Sequence, residues 1–369
     1  MFRTVIRTTL VSVVLCGGAF AQSNLERAVT LAREKRYKES SEVLQGVPEP
    51  TETRQRIAFH RLKAANASGM GDQTAAVREM LLALELAPSD PDLLVGAAMV
   101  EFQSGRLDDA LRHAEKAGNS ATAKAVIGDI QEKRGNFVEA ANAYWEAVTL
   151  APDHEEYRVS LAYDLILHQN IRGAIELLEQ SVTLFPKSAR LRILLGIAHY
   201  SNGYVDEATA SLVEAIQVDP KMESAYRCLS QIVLQSSAAP TPAVMEHLCR
   251  WNATVCSALK LRVAREKDDP AMLKAAIAGL QRAPAGDIAA RCELARAWEW
   301  TNRLQEARME MEACLRFDAT PQNHYRMGLI YKRLGLNDLS QNEMDQRKQM
   351  LQKMSEETAL GLNTLKAFR

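Results

Sequence analysis

The sequence predicts an all-α chain built from stacked helix pairs. Two observations carry that expectation. The first is the stretch 188–222, where apolar residues recur at helical spacing through Leu191, Leu194, Leu195 and Ala198. Asn202-Gly203 breaks the pattern, because glycine tolerates the backbone angles of a tight turn. A second helical pattern runs through Ala208, Leu212, Ala215 and Ile216, and Pro220 ends it. Gly196, Ala208 and Ala215 are small where two paired helices must approach closely. The second observation is periodicity. Ala140, Ala174 and Ala208 are 34 residues apart, and so are Pro152, Pro186 and Pro220. One helix pair cannot bury its own apolar faces, so the pairs must stack, and the core runs along the array.

Leu-Gly in the first helix, Gly at the turn, Ala in the second helix and a closing Pro, at a 34-residue period, resemble the tetratricopeptide repeat family. The resemblance implies a right-handed superhelical solenoid of about nine to ten repeats. It is informative about fold and poor on function, since such arrays hold many unrelated partners.

Taken in order, residues 1–21 read as a signal peptide. Arg3 and Arg7 give a basic start, a short apolar core follows, and Ala19-Phe20-Ala21 fits cleavage before Gln22. The apolar run is too short for a comfortable membrane span. Leu15 precedes Cys16 where a lipidation signal needs a small residue. The chain is therefore expected to be exported, periplasmic or extracellular, without membrane insertion once the leader is cut. Residues 22–50 read as a worn first repeat and linker, with Tyr37 at the turn aromatic position and Ser40 in place of the usual Ala. The regular array spans 51–222. Within it Gly105 and Gly135 are only 30 residues apart, which suggests about four residues missing from an inter-repeat turn. Residues 223–286 lose the signature, yet Gly203 to Asn302 is 99 residues, room for two degenerate units. Their expected breaks are at 236–240, at Asn252, and at Lys267-Asp268-Asp269 before Pro270. A C-terminal repeat pair spans 287–354, with Ser340 again replacing Ala, and 355–369 is expected to cap the array as a helix.

The composition, 47% apolar and 25% charged with a net charge of −1, argues against nucleic acid or an acidic membrane as partner. None of the seven histidines pairs at metal-ligand spacing, and no nucleophile elbow or phosphate-cradling loop occurs. Asp153-His154-Glu155-Glu156 reads as a solvated turn opening a helix. No cofactor, metal site or catalytic residue is expected, and the oligomeric state stays open. Five cysteines follow the leader, and none forms a CxxC pair. They are either buried apolar residues or, in an oxidising compartment, disulfides. Cys249 and Cys256 suit a bridge if the chain breaks near Asn252. On one helix they would lie about 10 Å apart along its axis, too far to bond. Cys292 and Cys314 lie on the two helices of one repeat at similar height.

By resemblance, the working surface is a concave face built from first-helix side chains. Carried by register, it includes Met99 and Phe102, then Tyr163, Ile166 and Leu167, then Ile193, Ile197 and Tyr200. Some of these either pack between helices or line an apolar groove. Further on the face turns polar, with Arg227, Gln231, Arg296, Glu299, Lys332 and Arg333, and the family's carboxylate clamp is absent there. The expected function is a non-catalytic adaptor for a peptide or protein segment. An envelope assembly or secretion factor acting by contact, and an enzyme with a site in 223–286, are the alternatives.

Exported protein should begin at Gln22. N-terminal sequencing or intact mass will show it, and a retained leader or a lipid on Cys16 would contradict the assignment.

Overall fold

Helices follow one another with short turns through the described residues, which are 19–236, 240–284 and 286–357 of this computed structural model. No strand occurs among them. Most of the leader (1–18), the middle of the 236–240 turn and all but the first three residues of the capping helix expected over 355–369 lie outside the described residues. Among the described residues no helix is long and apolar enough to cross a membrane.

The chain divides into two units, one ending at Asp164 and one beginning at Leu165. The first holds α1 (Ala19–Arg33), α2 (Tyr37–Gln45), α3 (Thr53–Gly69), α4 (Gln73–Leu86), α5 (Pro91–Gln103), α6 (Leu107–Lys116), α7 (Ala121–Arg134) and α8 (Phe137–Leu150). It also holds most of α9 (Glu155–Leu167), within which the division falls. The second unit continues with α10 (Ile171–Leu184), α11 (Ala189–Ser201), α12 (Val205–Val218), α13 (Glu223–Gln235), α14 (Pro242–Trp251) and α15 (Ala253–Glu266). It ends with α16 (Pro270–Gln281), α17 (Ile288–Trp300), α18 (Leu304–Leu315), α19 (Pro321–Arg333) and α20 (Asn337–Glu357). Within each unit, first helices pack on their second helices and each pair packs on the next, as in α3 with α4 and α11 with α12.

The starts and stops have local causes. Asp72, Ser120 and Ser188 accept a backbone N–H from the third residue of the helix each precedes, capping donors that would otherwise be orphaned. Pro91, Pro242, Pro270 and Pro321 open helices where no N–H is needed. Gly135 and Gly203 reverse the chain at φ of 82° and 84°, angles that cost a side-chain-bearing residue energy.

Pairing depends on absent side chains. A Cβ on Gly128 would lie 2.6 Å from the Tyr144 ring. One on Gly196 would lie 2.8 Å from Leu212 Cγ and 3.0 Å from the Ala208 carbonyl. Ala140, Ala208 and Ala215 are fully buried at the same kind of contact. At both ends of the array serine fills the alanine position, and its hydroxyl is satisfied across the pair. Ser40 Oγ donates to the Ala28 carbonyl at 2.7 Å, and Ser340 Oγ to the Gly328 carbonyl at 2.7 Å.

The short spacing between Gly105 and Gly135 corrects one expectation. The missing residues come from a helix and not from an inter-repeat turn: α6 has 10 residues where α4 and α8 have 14. Four residues are about one helical turn, so the deletion shortens the second helix while keeping its buried stripe of Ala110 and Ala114 in phase. Among the described residues, the degenerate region holds the four helices α13 to α16. Asn252, in extended conformation, ends α14 and caps α15, and α16 opens at Pro270.

Two disulfides are formed. Cys249 and Cys256 bond across the Asn252 break with Cα atoms 4.4 Å apart, and Cys292 joins α17 to Cys314 on α18 with Cα atoms 5.0 Å apart. Cys228 is free and buried.

Replacing Ala208 with Leu should destabilise the second unit by about 1–3 kcal/mol, because the added methylenes meet the α11 backbone. Hydrogen exchange should show the loss first in 189–218. Unchanged protection there would mean that this contact is not where the pair closes.

Candidate functional site

Burial revises the groove expected from register. In the first unit Met99 is buried, while Phe102 and Tyr163 keep part of their surface. In the second unit Ile166 is 1% exposed, and Ile193 and Ile197 are fully sealed. Tyr200 is buried, with its hydroxyl donating to Gln235 Oε1 at 3.0 Å, and Leu167 keeps part of its surface. The physical reason is visible in α11, where nine of thirteen residues are buried. A first helix packs on its own second helix and on its neighbours, so only a narrow stripe is left for solvent. Ile166, Ile193 and Ile197 are therefore core, and Phe102, Tyr163 and Leu167 are the members of that set with the most surface to offer.

The second unit contains a different candidate. A cleft of about 550 Å³ is walled by α15, α17, α19 and α20. Three of its residues come from one position of the repeat: Arg265, Glu299 and Arg333 are 34 residues apart in turn. Each ends up near the C-terminal end of a first helix, so the period itself stacks them into a column along one wall.

Aromatic rings hold the arginines. The Arg265 guanidinium lies over the Trp300 ring at 4.3 Å, and that of Arg347 over the Tyr325 ring at 4.8 Å. Neither Arg265 nor Arg347 pairs with a carboxylate among the described residues. Glu299 is the counter-charge inside the cleft, 3.7 Å from Arg326 Nη1 and 4.0 Å from Arg333 Nη1. Arg333 Nη2 also donates to Asn302 Oδ1 at 2.8 Å, which fixes the direction of its fork.

Behind the cleft lies a second charged layer. Arg296 hydrogen bonds Glu293, and Arg262 stands 3.8 Å from the same carboxylate. Arg262 also donates to the carbonyls of Val233 and Ser236, each at 2.8 Å, and so closes the C-terminal end of α13. Burial draws the pKa of Arg326 below the ordinary arginine value, with the Arg296 charge acting in the same direction and Glu299 opposing it. Burial likewise lowers Arg262, against the pull of Glu293. The two layers together hold six guanidiniums, on Arg262, Arg265, Arg296, Arg326, Arg333 and Arg347, against two carboxylates. That surplus of positive charge lies beside Trp300, Tyr325, Leu329 and Leu351.

Register reading had named Glu299 and Arg333 among polar positions of this face. It missed Arg265, Trp300, Tyr325 and Arg347. The 34-residue column through 265, 299 and 333 was the signal that could have found the first of them.

The free thiol is quiet. Burial pushes the Cys228 thiol up to about 12, so it stays protonated and poorly nucleophilic. Cys292 and Cys314 lie beside Asp318 in an arrangement of ligand-like atoms, but their sulfurs are bonded to each other.

The family profile of the tetratricopeptide repeat matches residues 159–223. The match covers a segment of the chain, and helix pairs continue on both sides of it. It is 28% identical over 127 residues to Protein CTR9 homolog of Arabidopsis thaliana, a match covering 32% of this chain and 12% of that protein. The chain thus spans only a small part of the length of that relative. Among solved structures, that of MamA is 21% identical, with 43% of this chain and 95% of that one covered at a TM-score of 0.38. The C-terminal part of a repeat-containing protein from Cytophaga hutchinsonii is 16% identical, with 73% and 96% covered at a TM-score of 0.47.

Glu299→Ala should destabilise the protein by about 1–3 kcal/mol, because Arg326 loses its nearest counter-charge in a partly buried place. Urea unfolding will measure it. A midpoint equal to that of the unchanged protein would show that solvent already screens the pair.

Proposed function

We propose that this protein is a non-catalytic, exported tetratricopeptide-repeat adaptor that holds a segment of a partner protein against its first-helix faces. The observation that carries the reading is the cleft in the second unit. Three successive first helices deliver Arg265, Glu299 and Arg333 to one wall, with exposed and half-buried aromatics beside them. Aromatic and arginine side chains in a concave setting are the groups that dominate binding energy at protein interfaces. Phe102 and Tyr163 in the first unit, and Leu167 in the second, are further positions where a partner can be met.

Export is supported by the leader-like residues 1–21 and by the pairing of Cys249 with Cys256 and of Cys292 with Cys314, which oxidising compartments allow. Non-catalytic action is supported by the chemistry of 223–286. There the free thiol is buried and protonated, and the other two cysteines are bonded.

A photo-crosslinking residue at Tyr325, which is 42% exposed, should capture a partner polypeptide in the exporting cell. The same residue at Met309, 69% exposed on the second helix α18, should not. Equal capture from both sites, or none from Tyr325, would overturn the reading.

A further inference from the structure

The charge balance of the cleft says more than that a segment binds there. Of its four lining arginines, Arg326 and Arg333 share one carboxylate, Glu299, and Arg265 and Arg347 rest on aromatic faces with no carboxylate among the described residues. A guanidinium placed over a ring face keeps N–H groups available for an oxygen acceptor. Neither layer is closed. Among the described residues Arg296 Nε has no hydrogen-bond acceptor, and Glu299 Oε2 has no donor, its nearest cation standing at 3.7 Å. Glu299 thus restrains two arginines without saturating them, and the cleft keeps unmet donor capacity with a net positive charge.

We propose that this cleft takes an acidic segment of the partner protein, one that carries an apolar or aromatic side chain beside its carboxylates. The assignment rests on the adaptor reading above and names the class of segment. Arg333 and Arg326 would take one carboxylate in paired N–H···O bonds, and Arg265 or Arg347 a second one across the cleft. Trp300, Tyr325 and Leu329 would cover the neighbouring apolar side chain. Nucleic acid is the weaker occupant on the same observations. Its affinity comes from neutralising a run of phosphates along a basic track. Here the positive surplus is confined to one cleft with a carboxylate inside it, on a chain whose net charge is −1. Steering by the surplus charge would also make capture faster at low salt.

The test uses the full exported chain and fluorescence anisotropy with three labelled probes. These are a short Glu/Asp peptide containing Leu and Phe, the same peptide with Lys at every acidic position, and a short oligothymidylate. The acidic peptide should bind, and more weakly as salt rises, while the lysine peptide and the oligonucleotide should not. Arg265→Gln, Arg333→Gln and Arg347→Gln should each weaken the acidic peptide about threefold, and the triple variant about tenfold or more. Arg265 and Arg333 are exposed and Arg347 is partly so, so these variants should keep their helical content and thermal midpoint. Stronger binding of the oligonucleotide, binding of the lysine peptide, or acidic-peptide binding unchanged in the folded triple variant would overturn the assignment. Crosslinking at Tyr325 separates the two levels. If a partner is still captured there by the triple variant as by the unchanged protein, the adaptor stands and the acidic class falls. If nothing is captured by either, both fall.

Discussion

Everything in this chain depends on how closely two helices of a pair can approach. Gly128 and Gly196 have no room for a methyl group, and Ala140, Ala208 and Ala215 are sealed against their partners. The contact is therefore backbone against side chain, and its tightness leaves the larger apolar residues free to fill the space between neighbouring pairs. Interiors this dense transmit a change of one methylene to their surroundings. At the ends, Ser40 and Ser340 show what the constraint is made of. The position accepts an extra atom when that atom is an oxygen facing a carbonyl, because the hydroxyl turns added volume into a hydrogen bond. Ser40 Oγ is in addition the acceptor for Asn66 Nδ2 at 2.8 Å, so a buried amide from the next pair uses the same atom.

The period made the fold legible. Helix pairs, the break at Asn252 and the opening at Pro270 follow from apolar spacing and from residues that dictate backbone angles, both of which are local properties. What a first helix shows to solvent is not local. Register places Ile193 and Ile197 on a given face of α11, but α12 and α13 both pack against that helix, and their reach sets how much of the face stays open. The groove over those residues was illegible for that reason. The same holds for α6, where register sees a short interval and cannot say whether a turn or a helix gave up the residues. The cleft lies between these cases. Arg265, Glu299 and Arg333 form a column that the period alone could have shown. Arg347 comes from a second helix whose polar sequence carries no register signal.

Polar ties within a helix pair differ from the arrangement in the cleft. His60 with Glu79, Arg291 with Glu310 and His324 with Glu343 each join the two helices of one pair, 19 residues apart in every case. These are repeated ties between paired helices. The cleft breaks that habit. Its arginines outnumber their carboxylates, and two of them rest on aromatic rings. The desolvation of Arg326 and Arg262 is tolerated because each finds a carboxylate or a helix end, and burying either one alone would be costly.

The turns hold a last consequence, one of trade between robustness and aim. Glycine takes the left-handed position at residues 71, 105, 135, 203 and 335, but Lys35, Gln169, Asp268 and Asn302 occupy it with side chains. A non-glycine residue there costs about 1 kcal/mol, somewhat less for asparagine. At Lys35, Gln169 and Asp268, none of which lines the cleft, glycine would relieve that cost. Asn302 is different, because its side-chain oxygen is the anchor for Arg333. An engineer who smoothed every turn for heat resistance would gain at three of them, and at the fourth would set loose the arginine on which the outer wall of the cleft depends.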